Sequence, residues 1–149
     1  MYKRILIATD GSDLASRALD HGLALAKALA AEVTIMTATE FTVAVGGSAE
    51  FTYLNSGELF TELEKAKAVG AQAILSAAKQ RAEALEIPAK VLHIPQQHAA
   101  DAIVETAEQH GSDLIVMGSH GRRGIGRLLL GSQAAEVLAR SQIPVLIVK

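Results

Sequence analysis

The chain has no cysteine and no tryptophan, and its 149 residues include only three phenylalanines, two tyrosines and three prolines. Without cysteine there is no disulfide, no zinc–thiolate centre and no thiol nucleophile. With so few aromatic rings, the stacking platforms that proteins use to hold nucleic-acid bases are scarce. Neither sign of charge dominates: 14 Lys and Arg against 16 Asp and Glu leave a formal net charge of −2, dispersed along the chain. That is no electrostatic footprint for a long polyanion, so nucleic acid is not an expected partner. No apolar run approaches the roughly 18 residues of a membrane span. Met1-Tyr2-Lys3-Arg4 leads directly into Ile5-Leu6-Ile7-Ala8, too short for a secretory leader, and a cytoplasmic location is expected.

What is present is small and aliphatic. Half the residues are hydrophobic, so the core is built from Ala, Leu, Ile and Val. The length suits one domain over 1–149, large enough to bury roughly 70% of its unfolded surface.

Strand-like and helix-like segments alternate along the chain. An apolar run at 5–8 stops at Asp10-Gly11, and Ser12 is placed to cap a helix running to about residue 30. In that helix Leu14, Ala18, Gly22, Leu25 and Leu29 recur at helical spacing. A second strand covers 33–36. The stretch 40–57, with Gly46-Gly47 and several Thr and Ser, has no helical period and reads as a long connection. A helix over 58–85 follows, with Phe60, Leu63, Ile74, Ala78 and Leu85 on its apolar side, before Pro88 and a third strand at 89–94. The remaining elements are a helix at 99–110 with Ile103, Val104 and Ala107 inward, a strand at 114–117, a helix at 132–140 and a strand at 144–148.

Five strands separated by helix-bearing crossovers predict a doubly wound parallel α/β sandwich with helices on both faces. The continuously apolar strands suit burial on both sides. A bare Val145-Leu146-Ile147-Val148 edge invites pairing, so a homodimer through 144–148 is expected, unless that strand is central or covered.

The chemistry concentrates between the fourth strand and the last helix. Met117-Gly118-Ser119-His120-Gly121-Arg122-Arg123-Gly124-Ile125-Gly126-Arg127 continues into Leu128-Leu129-Leu130-Gly131-Ser132. Glycines at 118, 121 and 131 allow tight turns and close backbone approach to an anion. The first-turn amides of Ser132 and Gln133, helped by the Ser132 hydroxyl, can donate to phosphate oxygens. Arg122, Arg123 and Arg127 add local charge or point to solvent, and His120 is placed to donate to phosphate. A purely structural turn is the competing reading of the glycines.

Ligands of open parallel sheets gather beyond the strand carboxyl ends where strand order reverses. If strands one and four are neighbours there, Asp10-Gly11-Ser12 faces the glycine cluster. Asp10 would then accept from ribose hydroxyls or help hold Mg²⁺; its plain alternative is an Asx turn. Thr37 and Ala38, at the end of the second strand, can offer backbone groups to a base edge. Other nucleotide folds are disfavoured. There is no G-x-x-x-x-G-K-[ST] loop, and the first turn lacks the G-x-G-x-x-G of dinucleotide binding. His21, His93, His98 and His110 are dispersed without metal-ligand spacing and read as surface or cap residues.

Gly118-x-x-Gly121, nine residues, then Gly131-Ser132 resembles the ATP-binding signature (G-2x-G-9x-G-S) of the universal stress protein family. Ala8-Thr9-Asp10-Gly11-Ser12 and the closing 141–148 segment are similar to that family too, so the resemblance spans the chain. It implies a Rossmann-like sheet of order 3-2-1-4-5 and dimerisation through the last strand. It further implies an adenine pocket around Ala8, Thr37, Ala38 and Met117, with Asp10 on the ribose and metal side. The phosphate loop would fall on Gly118, His120, Gly121, Arg122, Gly131, Ser132 and Gln133. The implied ligand is ATP, AMP or ADP, with Mg²⁺. No family pattern covers 40–57. Hydrolysis needs a positioned water and a base, and the sequence identifies neither. The expected function is therefore an ATP-binding stress-response sensor or switch acting on a protein client. The alternatives are a slow Mg²⁺-dependent ATP hydrolase and a nucleotide-independent interaction protein.

Overall fold

The computed structural model describes residues 1–41, 49–121 and 130–149, with backbone only over 49–56. Its elements are β1 (Arg4–Ala8), α1 (Asp13–Leu29), β2 (Glu32–Thr39), α2 (Ala49–Ala84), β3 (Ala89–Pro95), α3 (Ala99–Gln109), β4 (Leu114–Gly118), α4 (Ser132–Arg140) and β5 (Val145–Val148). The strands form one sheet of order β3-β2-β1-β4-β5, all neighbours parallel. This is the doubly wound α/β architecture expected from the alternation of elements, with β5 at an edge.

Period-two alternation sends successive side chains to opposite faces of the sheet, and each face has its own core. Ile5 and Ile7 of β1, with Leu114 and Val116 of β4, pack against Leu19 and Leu23 of α1 and Leu75 and Ala78 of α2. Leu6, Ile115 and Met117 turn the other way, to Ile103 and Ala107 of α3 and Val137 of α4. Burial on both faces holds for the inner strands. β3 and β5, at the edges, are only partly covered, and Leu146 is 38% exposed.

The helix faces differ from the sequence pattern. In α1 the buried positions are Ala15, Ala18, Leu19, Gly22, Leu23 and Ala26, while Leu29 is exposed. The reason is close packing: a Cβ on Gly22 would lie 2.6 Å from Ile7 Cδ1, so the helix turns its smallest residues to the sheet and its larger leucines flank the seam. In α2 the same preference buries Ala71, Leu75, Ala78 and Ala82, leaving Leu63, and Leu85 just past the helix end, exposed.

The expected long connection at 40–57 is shorter. Residues 49–57 are helical, and 42–48 lie outside the described residues. Once a helix is nucleated, each added residue gains one hydrogen bond, so propagation carries through poor formers. At Gly57, where a glycine costs about 1 kcal/mol relative to alanine, the carbonyl accepts a second hydrogen bond from Thr61 Oγ1 at 2.9 Å.

Local signals set the entry to α1. The Ser12 side chain accepts from Ala15 N, and Asp13 lies in the first turn. At the opposite end of the sheet, Asp113 ties β4 to the start of β1, accepting from Lys3 N at 2.8 Å and Arg4 N at 3.0 Å.

Candidate functional site

Strand order reverses between β1 and β4, because the chain leaves β1 toward β2 and leaves β4 toward β5. A cleft of about 620 Å³ opens beyond their carboxyl ends, within the size range of small-molecule sites. Its apolar floor includes Ala8, Met36, Ala38, Ile103 and Met117, and its polar rim comes from the loops after β1, β2 and β4 and from the start of α4.

The β1 exit is a tight turn held by its own side chains. Asp10 Oδ1 accepts from Ser12 N at 2.9 Å, Thr9 Oγ1 accepts from Gly11 N at 3.2 Å, and Gly11 has φ +77°. Asp10 is thus an Asx-turn residue and also lines the cleft.

The β4 exit is shaped by three glycines with different reasons. A Cβ on Gly118 would stand 3.1 Å from the Leu14 carbonyl carbon, so this glycine lets the first turn of α1 lie against the strand end. Gly118 also lines the cleft. At Gly121 a Cβ would lie 2.6 Å from Asp10 Oδ2, and at Gly131 one would lie 2.9 Å from the Ser119 carbonyl oxygen. Ser119 is the pivot: its amide donates to Val148 O at 2.8 Å, its carbonyl accepts from Gly131 N, and its hydroxyl pairs with His120 Nδ1 at 3.0 Å. The other ring nitrogen of His120, Nε2, is buried without a hydrogen-bond partner among the described residues. Such a group is costly unless something supplies a partner.

Two helix starts meet at the cleft. Gly131 is the N-cap of α4 and brings no side chain, leaving the first-turn amides of Ser132, Gln133 and Ala134 without intrahelical acceptors; all three residues line the cleft. The start of α3 is served across space. His98, at its N-cap position, makes no side-chain cap bond, whereas Gln133 Oε1 accepts from Ala100 N at 2.9 Å.

Of the expected positions, Ala8, Asp10, Ala38, Met117, Gly118, His120, Gly121, Gly131, Ser132 and Gln133 come together around the cleft. Thr37 does not line it. The strand runs on through Thr39, and alternation turns the Thr37 side chain to the opposite face from Ala38, where it is 3% exposed. Arg122, with Arg123 and Arg127, lies outside the described residues. Among the described residues no group of three or more His, Asp or Glu side chains is placed to hold a metal ion.

Lining residues beyond the expected set include Met36, Thr39, Glu40, Lys67, Ala99 and Ile103. Met36 had a signal, since it is the β2 partner of Ala8 in a parallel register. Lys67 had none: it reaches the rim from the middle of α2, where Nζ donates to the Glu40 carbonyl. His98, expected as a surface or cap residue, sits half-exposed at the N-cap position of α3, with its Nε2 2.9 Å from Glu136 Oε2 and its Nδ1 3.4 Å from Glu40 Oε1. The hydrogen bond to Glu136 raises the His98 pKa above its usual value. Partial burial opposes this, and the negative charges of Glu136, Glu40 and Asp101 reinforce it.

A doubly wound sheet with an apolar cleft at its switch point is the α/β architecture that places small-ligand sites beyond the strand ends. The chain belongs to the universal stress protein family, whose family model matches residues 1–149. It is 39% identical over 151 residues to universal stress protein MJ0531 of Methanocaldococcus jannaschii, covering 100% of this chain and 83% of that protein. Among solved structures it is similar to MJ0577 of the same organism, with TM-score 0.82 and 32% identity over 100% of this chain and 96% of that one. It is also similar to a universal stress protein crystallised in complex with cAMP, with TM-score 0.72 and 33% identity over 99% of this chain and 97% of that one. No helix among the described residues is long and apolar enough to cross a membrane.

Proposed function

We propose that this protein binds an adenine nucleotide, ATP first and AMP or ADP as alternatives, and acts as a nucleotide-dependent switch in a cytoplasmic stress response. The observation that carries the reading is the start of α4, where the N-cap Gly131 brings no capping side chain. Its amides at Ser132, Gln133 and Ala134 open on the cleft that Asp10 flanks from the opposite wall. Backbone donors at a helix N-terminus favour an anionic group, and they do so without a Walker lysine. The base would rest on Ala8, Ala38 and Met117, the ribose hydroxyls would donate to Asp10, and the phosphates would reach Gly121, Gly131 and His120. His120 Nε2 has no hydrogen-bond partner among the described residues, which fits a role as phosphate contact, since an anion would accept from it. A relative 33% identical to this chain was crystallised with cAMP, which supports an adenine ligand.

Mg²⁺ commonly keeps several waters and is held by one or two carboxylates plus substrate phosphates, so a single Asp10 is compatible with an ion that arrives with the nucleotide. Hydrolysis ranks behind binding because Asp10 is engaged in its own turn and His120 Nδ1 is engaged by Ser119. β5 lies at the sheet edge with Leu146 partly exposed, which supports a homodimer through 144–148. A protein client would read the nucleotide state.

The test is mass spectrometry of ligand released from freshly purified protein, followed by calorimetry with ATP, AMP and cyclic AMP. We expect an adenine nucleotide in the released fraction and saturable binding. Binding should be lost in Gly131→Val with the helical circular dichroism retained. Wild-type protein that takes up none of the three nucleotides would overturn the reading.

A further inference from the structure

We propose that His98 is a proton-dependent positioning residue of the cleft: as an imidazolium it straps Glu40, at the exit of β2, to Glu136 on α4, and loss of its proton loosens that wall. The proposal rests on the nucleotide reading above.

Both ring nitrogens face a carboxylate, Nε2 at 2.9 Å from Glu136 and Nδ1 at 3.4 Å from Glu40. The contact to Glu136 is a hydrogen bond and the contact to Glu40 an ion pair; a neutral ring that donates to Glu136 through Nε2 turns its Nδ1 lone pair toward the Glu40 carboxylate, and only the imidazolium attracts both. The three residues come from three separate segments of the cleft wall. Glu40 itself lines the cleft, His98 precedes the lining residue Ala99, and Glu136 sits one turn into the helix whose first amides open on the cleft. The strap is therefore the side-chain link between the β2 exit and α4.

The surrounding charges favour the protonated form. Glu136 faces His98 from α4, Glu40 from the β2 exit and Asp101 from α3, and all three raise its pKa. Asp101 is in turn paired with Arg140 of α4. On its other side Glu40 is held through its carbonyl by Lys67 of α2. The imidazole is 41% exposed, so its proton exchanges freely with solvent.

Linkage gives the direction. If the nucleotide prefers the strapped wall, affinity is highest below the His98 pKa and falls as pH rises through it, and binding takes up a proton. The test is calorimetry with ATP at about pH 6 and about pH 8 on wild type and His98→Asn, which cannot titrate but is a good N-cap residue for α3. Protonation of ATP itself is common to both proteins and cancels in their ratio. We expect the wild type to lose roughly three- to tenfold more affinity across this interval than the variant. The His98 ring signal in nuclear magnetic resonance should titrate at higher pH with ATP present. Equal pH dependence in the two proteins would overturn the strap alone, whereas no ATP binding at either pH would overturn the nucleotide reading and the strap with it.

Discussion

Asp10 Oδ2 occupies the place that a side chain on Gly121 would need: a Cβ there would lie only 2.6 Å from it. The two residues are far apart in sequence and close across the mouth of the cleft, one ending the β1 turn and the other following β4. Asp10 cannot simply swing aside, because its Oδ1 holds the Ser12 amide. Gly121→Ala should therefore push the carboxylate out of position. We expect ATP affinity to fall severalfold, and Asp10→Ala to cost much less in the Gly121→Ala background than alone. A double-mutant cycle by calorimetry measures this coupling, and strictly additive effects would show that the two residues act separately.

Gly118 calls for a different outcome. Its neighbours are backbone atoms of Leu14 and Ala15 at 3.1 to 3.3 Å, which give way only if α1 moves. Gly118→Ala should destabilise the fold by about 1–3 kcal/mol, the usual cost of overpacking. Urea denaturation checks this; a loss of ligand affinity at unchanged stability would instead assign Gly118 to the ligand.

Asp113 predicts an acid dependence far from the cleft. Burial pushes its pKa up, but the amides of Lys3, Arg4 and Asp113 itself and the charge of Arg4 outweigh it, so the folded value lies below normal. Its stabilising contribution is therefore present above the unfolded pKa of about 3.9 and is lost as pH falls through the folded value. Asp113→Ala should cost about 1–2 kcal/mol near neutrality, as expected for the loss of two hydrogen bonds to a charged acceptor at a partly exposed site. The gap from wild type should narrow in urea melts near pH 3, and a gap independent of pH would contradict the assignment.

The β5 edge offers a test of assembly. Leu146 pairs with Val116 in register, and its side chain is partly exposed at the end of the sheet. Leu146→Lys places a charge where an apolar contact between copies would form. By sedimentation velocity we expect a wild-type dimer and a monomeric variant with unchanged circular dichroism. A wild-type monomer at micromolar concentration would remove the proposed interface.

The strands were legible because each is a short apolar run bounded by a turn residue. Asp10-Gly11 after β1 and Pro88 before β3 are such boundaries. The glycine cluster was legible through its spacing, and it does stand opposite Asp10. The reasons for its individual glycines were not. Gly118, at the cleft, also makes room for α1, and that packing is invisible in the glycine spacing. Thr37 and Ala38 are adjacent in sequence, and only the phase of β2 assigns one of them to the cleft and the other to the far core.

The sequence alone determined the class of fold: apolar period, turn residues and caps are local properties, and the right-handed crossover rule leaves few ways to arrange five such strands. Tertiary structure decided which small residues of α1 and α2 meet the sheet, because a 3.6-residue period marks a broad stripe whereas packing selects its closest line. It also decided the rim, where Lys67, Glu40, His98 and Glu136 come from four separate segments. Each side chain there is an ordinary exposed charge when read alone. Their distances are set by where the crossovers place the ends of the helices, and those distances convert unremarkable residues into a wall with a proton count.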